Sequence, residues 1–233
     1  MTKLILVTGG NGRFAKILKR KNKILDLKFL SKKELNILDT KSIEKNIIKY
    51  EPKIILHTAA LSRPMAIHNT DITKSINLNI IGTANIVKLC EKYRVKLIYF
   101  STGYVYECTK GNYKESDPVK PINNYGLSKL GGECAVQMYK NSLILRITMT
   151  EKPFAYKKAF TNVFSNYMFH EEMVEMLPKL INQFGIINVG GKSRSIYNFA
   201  KNHNKKVIKI KNFDKKIYSK QTMNLKRLKK ILN

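Results

Sequence analysis

A tyrosine and a lysine four residues apart, Tyr125 and Lys129, stand downstream of a hydroxyl pair, Ser101-Thr102, and of a glycine-rich turn, Thr8-Gly-Gly-Asn-Gly12. The hydroxyl pair closes the apolar run Lys96-Leu-Ile-Tyr-Phe100, and the glycines follow directly on Lys3-Leu-Ile-Leu-Val7. Each feature alone is weak; their order is that of hydride chemistry at a carbonyl or alcohol. A ketone that receives a hydride leaves an alkoxide, which must be protonated and stabilised as it forms. A phenol with an ordinary pKa of about 10 does this poorly at neutral pH. A lysine one helical turn away is expected to lower that pKa and to hold the nicotinamide ribose. A strand-end hydroxyl, Thr102, is expected to hold the carbonyl oxygen.

These groups need a scaffold, and the chain reads as one. Strands are predicted at 4–7, 27–30, 54–58, 96–100 and 143–147, rich in Ile, Leu and Val without polar alternation, as in strands buried on both faces. Helices are predicted between them at about 12–20, 41–49, 74–92 and 125–139, with Asp39-Thr40 as N-cap chemistry for the second. In helix 74–92, Ile76, Ile80, Thr83, Val87 and Cys90 recur on one face. The alternation predicts an α/β fold: a Rossmann-type doubly wound parallel sheet over residues 1–147. Residues 148–233 are expected to form a small substrate-side lobe packed on it, with helix 171–181, strand 185–189, helix 195–203, strand 207–210 and a terminal helix 225–232 capped by Asn224. Gly131-Gly132 inside the helix after Tyr125 costs about 1 kcal/mol per residue against Ala, so it marks either a frayed helix or close packing.

The turn carries the nucleotide argument. Gly9, Gly10 and Gly12 permit a tight bend and close approach of backbone N–H groups to a pyrophosphate, and the helix N-terminus adds a favourable dipole. Ala15 takes the third small position. An acid at the end of the second strand would select NAD by binding the ribose 2′-hydroxyl. The chain has Leu30-Ser31-Lys32-Lys33 there, with Glu34 later, which predicts NADP(H) over NAD(H), with Ser31 and Lys32 near the 2′-phosphate.

Bulk properties bound the rest. At 233 residues and 43% hydrophobic content the chain can bury one good core. No apolar run reaches the roughly 18 residues of a membrane span, and no leader precedes the first strand, so a cytoplasmic protein is expected. Cys90, Cys108 and Cys134 have neither metal-ligand nor disulfide spacing, so no metal is expected. The formal charge of +28 raises a nucleic-acid partner, yet outside residues 201–233, with twelve Lys/Arg against Asp214, the lysines are scattered. A solvated basic surface is the preferred reading. Its field would draw in anionic nucleotides.

The landmarks together resemble a known family. Thr8-Gly-Gly-Asn-Gly12, His57-Thr-Ala-Ala60, Asn79-Ile-Ile-Gly-Thr83, Ser101-Thr-Gly-Tyr-Val105, Pro121-Ile-Asn-Asn-Tyr-Gly-Leu-Ser-Lys129 with Gly132-Glu133, and the tail from Met223 resemble the extended short-chain dehydrogenases/reductases. Within them the chain is most similar to the dTDP-4-dehydrorhamnose reductase-like, sugar-nucleotide branch. The resemblance implies a catalytic set of Thr102, Tyr125 and Lys129. Expected coenzyme contacts are Gly9, Gly10, Asn11, Gly12, Arg13, Phe14, Ser31, Lys32, Asn36, Ile37, Thr58, Ala59, Ala60 and Asn79, besides Tyr125 and Lys129. Expected substrate contacts are Arg63, Ser101, Gly103, Tyr104, Lys152 and Arg194.

The resemblance further implies a nucleotide-sugar substrate and a homodimer paired through helices 74–92 and 125–139. Dehydratases of this kind place an Asp-Glu pair after the strand-end threonine. Here Gly103-Tyr104 follows instead, which disfavours dehydration. Reduction of a 4-keto sugar nucleotide is the first reading and 4-epimerisation the second. A third is a regulatory or RNA-binding relative, as in the regulatory subunit of methionine adenosyltransferase. The trimmed lobe leaves the sugar open.

Overall fold

The computed structural model describes residues 3–213 and 219–233. Six short segments, β1 (Ile5–Thr8), β2 (Leu27–Leu30), β3 (Ile54–His57), β4 (Lys96–Thr102), β5 (Ser142–Ile147) and β6 (Gly185–Val189), form one parallel sheet in the order β6-β5-β4-β3-β1-β2. Every residue of β1, β3, β4 and β5 is buried, as the unbroken apolar runs require. Successive residues point to opposite faces. Ile5 and Val7 therefore join the core under helices Arg13–Lys21 and His170–Leu180, while Leu6 joins the core under Thr40–Tyr50 and Gly82–Lys92. The strand order reverses between β1 and β3, and that crevice is where such sheets bind ligands.

The sequence division at residue 147 does not follow the packing. Strand 185–189, placed in the lobe, is the sixth strand of the main sheet, with Ile187 beside Leu145. Helix His170–Leu180 shares the first helix's core. What remains of the lobe is small: three two-stranded pairs, Met149–Thr150 with Met168–Phe169, Lys158–Phe160 with Ile208–Ile210, and Phe164–Ser165 with Arg194–Ser195. An aromatic cluster of Phe154, Phe169 and Phe199 holds it together. The terminal helix runs Lys226–Leu232, and the Asn224 side chain accepts from the Lys226 N–H at 3.0 Å. Residues 214–218 of the basic tail, Asp214 among them, lie outside the described residues.

Helix 74–92 is also corrected. Ile72–Ile76 is α-helical, Asn77–Ile81 is a π turn, and Gly82–Lys92 is α-helical again. The wider turn shifts the phase of the buried face. Ile76 is 40% exposed, while Asn79, Thr83, Ile86, Leu89 and Cys90 are buried. Gly131 and Gly132 resolve to close packing: a Cβ on Gly132 would lie 2.4 Å from the Asn79 carbonyl oxygen, and one on Gly131 2.7 Å from Ile80. The small side chains let helix Asn124–Gln137 rest on the π turn.

Candidate active site

The glycine turn fits a dinucleotide. Gly9 has φ +68°, and a Cβ there would meet Ala59 Cα at 2.8 Å, so the ends of β1 and β3 touch backbone to backbone. Gly12 N-caps helix Arg13–Lys21 without a side-chain hydrogen bond, which leaves the first N–H groups for a ligand anion. Gly9, Asn11, Gly12, Lys32, Asn36, Ile37, Thr58, Ala59 and Ala60, nine of the residues expected at the coenzyme, line a compartment beside this turn. Gly10 does not line it; the residue backs onto Leu30. Ser31 is also outside the lining, because its N–H donates to Glu34 Oε2 at 2.8 Å. The acid read as lying beyond the strand end thus folds back on it, and hydrogen bonds from Ser31 hold its carboxyl below the usual range.

A second compartment of about 390 Å³ continues past Arg13 and Phe14 to Tyr125 and Lys129. A third, about 190 Å³, is lined by Arg63, Thr102, Tyr104, Tyr125, Glu151, Tyr156, Tyr167 and His170, among others. Arg13, Arg63, Ser101 and Tyr125 belong to both. The cleft is therefore a track along the turn that opens into a polar, aromatic room, with the phenol at the junction.

The catalytic set expected from sequence converges there. Thr102 ends β4, is 4% exposed, and its hydroxyl accepts from the Tyr104 N–H at 3.3 Å. Tyr125 and Lys129 lie on helix Asn124–Gln137, whose N-cap Asn123 accepts from the Gly126 N–H at 2.8 Å. The electrostatics differ from the sequence expectation. Burial pushes the Tyr125 phenol up, opposed by the neighbouring Thr102 hydroxyl and by the Arg63 and Arg13 guanidiniums. The Lys129 ammonium lies over the Tyr99 ring at 4.1 Å, and burial, opposed by Glu133, lowers its pKa to about 7. At Tyr125 desolvation outweighs the Thr102 hydroxyl and the two guanidiniums. Tyr125 is thereby kept protonated at neutral pH, the state a proton donor needs.

Asn79 is not a cleft residue. Its side chain donates to the Leu61 carbonyl at 2.9 Å and to Ser128 Oγ at 2.8 Å, and Ser128 donates to the Tyr125 carbonyl at 2.8 Å. It braces the tyrosine from behind. Ser101 lines the cleft and donates to Glu133 Oε2 at 2.7 Å. Glu133 pairs with Arg146 at 2.5 Å, and Arg146 donates to the Tyr106 phenol at 2.7 Å. Arg146 was missed in sequence because it sits inside an apolar strand; an arginine there was itself the signal. Gly103 packs against Thr148 and Met223 and lines none of the three compartments.

Lys152 and Arg194 are outside these linings too, their cations over Phe169 at 5.8 Å and Phe199 at 4.8 Å. His57 is a buried strand residue: Nδ1 is 2.8 Å from Thr8 Oγ1, Nε2 is 3.2 Å from Thr83 Oγ1, and burial with the Lys129 charge drives its pKa to about 3. Sequence reasoning also missed Glu151, Tyr156 and Tyr167, in the irregular segments after β5, and His170, the first residue of helix His170–Leu180. Among the described residues no His, Cys, Asp and Glu cluster could hold a metal, and no helix is long and apolar enough to cross a membrane.

A six-stranded parallel sheet with a glycine turn at its switch point and a strand-end Ser-Thr facing Tyr125 and Lys129 defines a Rossmann-type protein of the short-chain dehydrogenase/reductase kind. Residues 2–179 match the family model described as RmlD substrate binding domain, and the chain belongs to that family. It is similar to methionine adenosyltransferase 2 subunit beta of Bos taurus, 36% identical over 103 residues, which is 44% of this chain and 30% of that protein. It is also similar to the probable low-salt glycan biosynthesis reductase Agl14 of Haloferax volcanii, 31% identical over 120 residues, 49% of this chain and 39% of that one. These matches span less than half the length of either relative. The crystal structure of dTDP-4-dehydrorhamnose reductase from Bacillus anthracis in complex with NADP superposes with a TM-score of 0.85 at 22% identity, over 98% of this chain and 91% of that one, a likeness of fold.

Proposed function

We propose that this chain is an NADPH-dependent reductase of a nucleotide-linked 4-keto sugar. The observation that carries the reading is the position of the Tyr125 phenol, beside Thr102 at the point where the glycine-turn track opens into the Tyr104, Tyr156 and Tyr167 room. A bound NADPH would supply the hydride. Tyr125 gives its proton to the sugar oxygen, and the Thr102 hydroxyl holds that oxygen as charge develops on it, while Ser101 stays tied to Glu133. Lys129, near the end of the track, holds the ribose end of the coenzyme and restores the phenol's proton. Arg13 and the open N–H groups behind Gly12 bind the diphosphate.

NADP(H) preference rests on Lys32 in the adenosine-side compartment and on Glu34 being engaged by Ser31. A tenfold lower KM for NADH than for NADPH overturns that part. The substrate room would draw on both sides of residue 147, with Arg63, Thr102, Tyr104 and Tyr125 before it and Glu151, Tyr156, Tyr167 and His170 after it. The homodimer through helices 74–92 and 125–139 is supported by exposed Ile76, Ile81, Leu127 and Met138, and a monomer on size-exclusion chromatography refutes it. A cytoplasmic location completes the proposal.

The test is NADPH oxidation with dTDP- or UDP-4-keto-6-deoxyglucose. Wild type should oxidise coenzyme stoichiometrically, which a self-recycling epimerase does not do. Tyr125→Phe should lose turnover by at least about a hundredfold, the scale of general-acid catalysis, while still binding NADPH. The match to methionine adenosyltransferase 2 subunit beta favours a second reading, a non-catalytic partner that keeps the dinucleotide cleft. NADPH binding with no NADPH oxidation in the presence of either keto sugar, and unchanged coenzyme binding in Tyr125→Phe, would select it.

A further inference from the structure

Arg13, Arg63 and Glu151 come from three distant parts of the chain and meet over the cleft. Arg13 opens the first helix, Arg63 lies in the segment after β3, and Glu151 follows the short strand Met149–Thr150. Glu151 Oε1 is 3.2 Å from one guanidinium nitrogen of Arg13, and Oε2 is 2.8 Å from one of Arg63. Arg13 also donates to Ser62 Oγ at 2.9 Å. Both arginines line the coenzyme track and the substrate room, whereas Glu151 lines only the room. Beside them His170 is 6% exposed, and its buried Nδ1 has no hydrogen-bond partner.

The charge balance is uneven. One carboxylate serves two guanidiniums, at a helix N-terminus that has no side-chain cap. A diphosphate carries two charges and oxygens enough to engage both forks and the imidazole. A carboxylate spanning two arginines is thus a one-charge substitute for that group. We propose that Glu151 is a built-in surrogate for a ligand diphosphate, holding Arg13 and Arg63 in the free protein and yielding them when the diphosphate of a dinucleotide or a sugar nucleotide arrives. It sets affinity by competing for the same two cations, and its release frees the 149–151 strand end that borders the substrate room. The inference rests on the coenzyme-binding reading above, yet it concerns binding alone.

The experiment is equilibrium titration of NADPH by fluorescence and of dTDP by calorimetry, on wild type, Glu151→Gln, Arg63→Met and the double variant, at two salt concentrations. Partly exposed ion pairs of this kind predict that Glu151→Gln tightens one of the two ligands roughly three- to tenfold, the affected ligand identifying the source of the diphosphate. Arg63→Met should weaken that same ligand, and in its background the gain from Glu151→Gln should shrink, which a merely structural role for Glu151 would not produce. Glu151→Asp, able to reach one arginine but not both, should fall between, and serves if the amide variant folds poorly. Unchanged or weaker binding of both ligands to a folded Glu151→Gln overturns the proposal. If Glu151→Gln tightens NADPH while no nucleotide sugar is reduced, the surrogate stands and the reductase reading falls.

Discussion

Lys129→Met separates what the fold wants from what the chemistry wants. Lys129 is 2% exposed, and burial lowers its pKa from the ordinary 10.5 to about 7. The unfolded chain therefore binds this proton up to the ordinary value, and the folded chain only up to about 7. Stability rises with pH wherever the unfolded state binds more protons, so this lysine penalises folding fully below its folded pKa and progressively less toward 10.5. At about 1.4 kcal/mol per pH unit the penalty reaches about 5 kcal/mol, and relaxation around the ammonium brings the expected value to about 2–5 kcal/mol. Methionine fills similar space without the charge. The assay is urea unfolding of wild type and variant from pH 6 to 9. The variant should be more stable at pH 6, with the gap narrowing steadily as pH rises. Other titrating groups, such as Lys96, lowered to about 8 by burial and by Lys3, cancel in the subtraction. A gap independent of pH, or a variant less stable at pH 6, refutes the reasoning. Turnover should be lost in the same variant.

Arg146→Met leaves the buried Glu133 carboxylate without its cation and should cost about 3–5 kcal/mol in chemical denaturation. Adding Glu133→Leu should recover much of that loss. Gly132→Ala pushes a Cβ to within 2.4 Å of the Asn79 carbonyl and 2.7 Å of the Tyr99 phenol, so overpacking of about 1–3 kcal/mol should appear as a lower Tm. His57, driven by burial from 6.5 to about 3, binds its proton in the unfolded chain first, so stability should be lost as pH falls through that window. His57→Asn, whose amide does not titrate, should flatten the acid limb of a urea-midpoint titration.

Most of the sheet was legible because strands buried on both faces are built on apolar runs, here residues 54–56, 97–100 and 143–145. The glycine turn was legible because only glycine suits the +68° bend against Ala59. Strand 185–189 was found but misassigned, since sequence order cannot reveal that the chain returns to pair with Leu143–Ile147. The tyrosine and lysine were found from spacing, but the balance of burial against charge that sets their protonation depends on packing. Glu151 and His170 carry no spacing signal: what makes them cleft residues is contact with Arg13, Arg63 and Phe14, far away in the chain. Lys152 and Arg194 show the converse, cations whose partners proved to be aromatic rings.

The π turn at Asn77–Ile81 is an α-helix carrying one residue too many. Each α-helical residue advances the winding by about 100°. Deleting a single residue there would let the ladder close in ordinary fashion, with Ile86 and Leu89 still anchored in their groove. The upstream half would swivel by that angle and carry the Asn79 amide away from Leu61 and Ser128. Frame-preserving indels in this segment, more than any substitution, would leave a well-folded protein whose phenol has lost its backing.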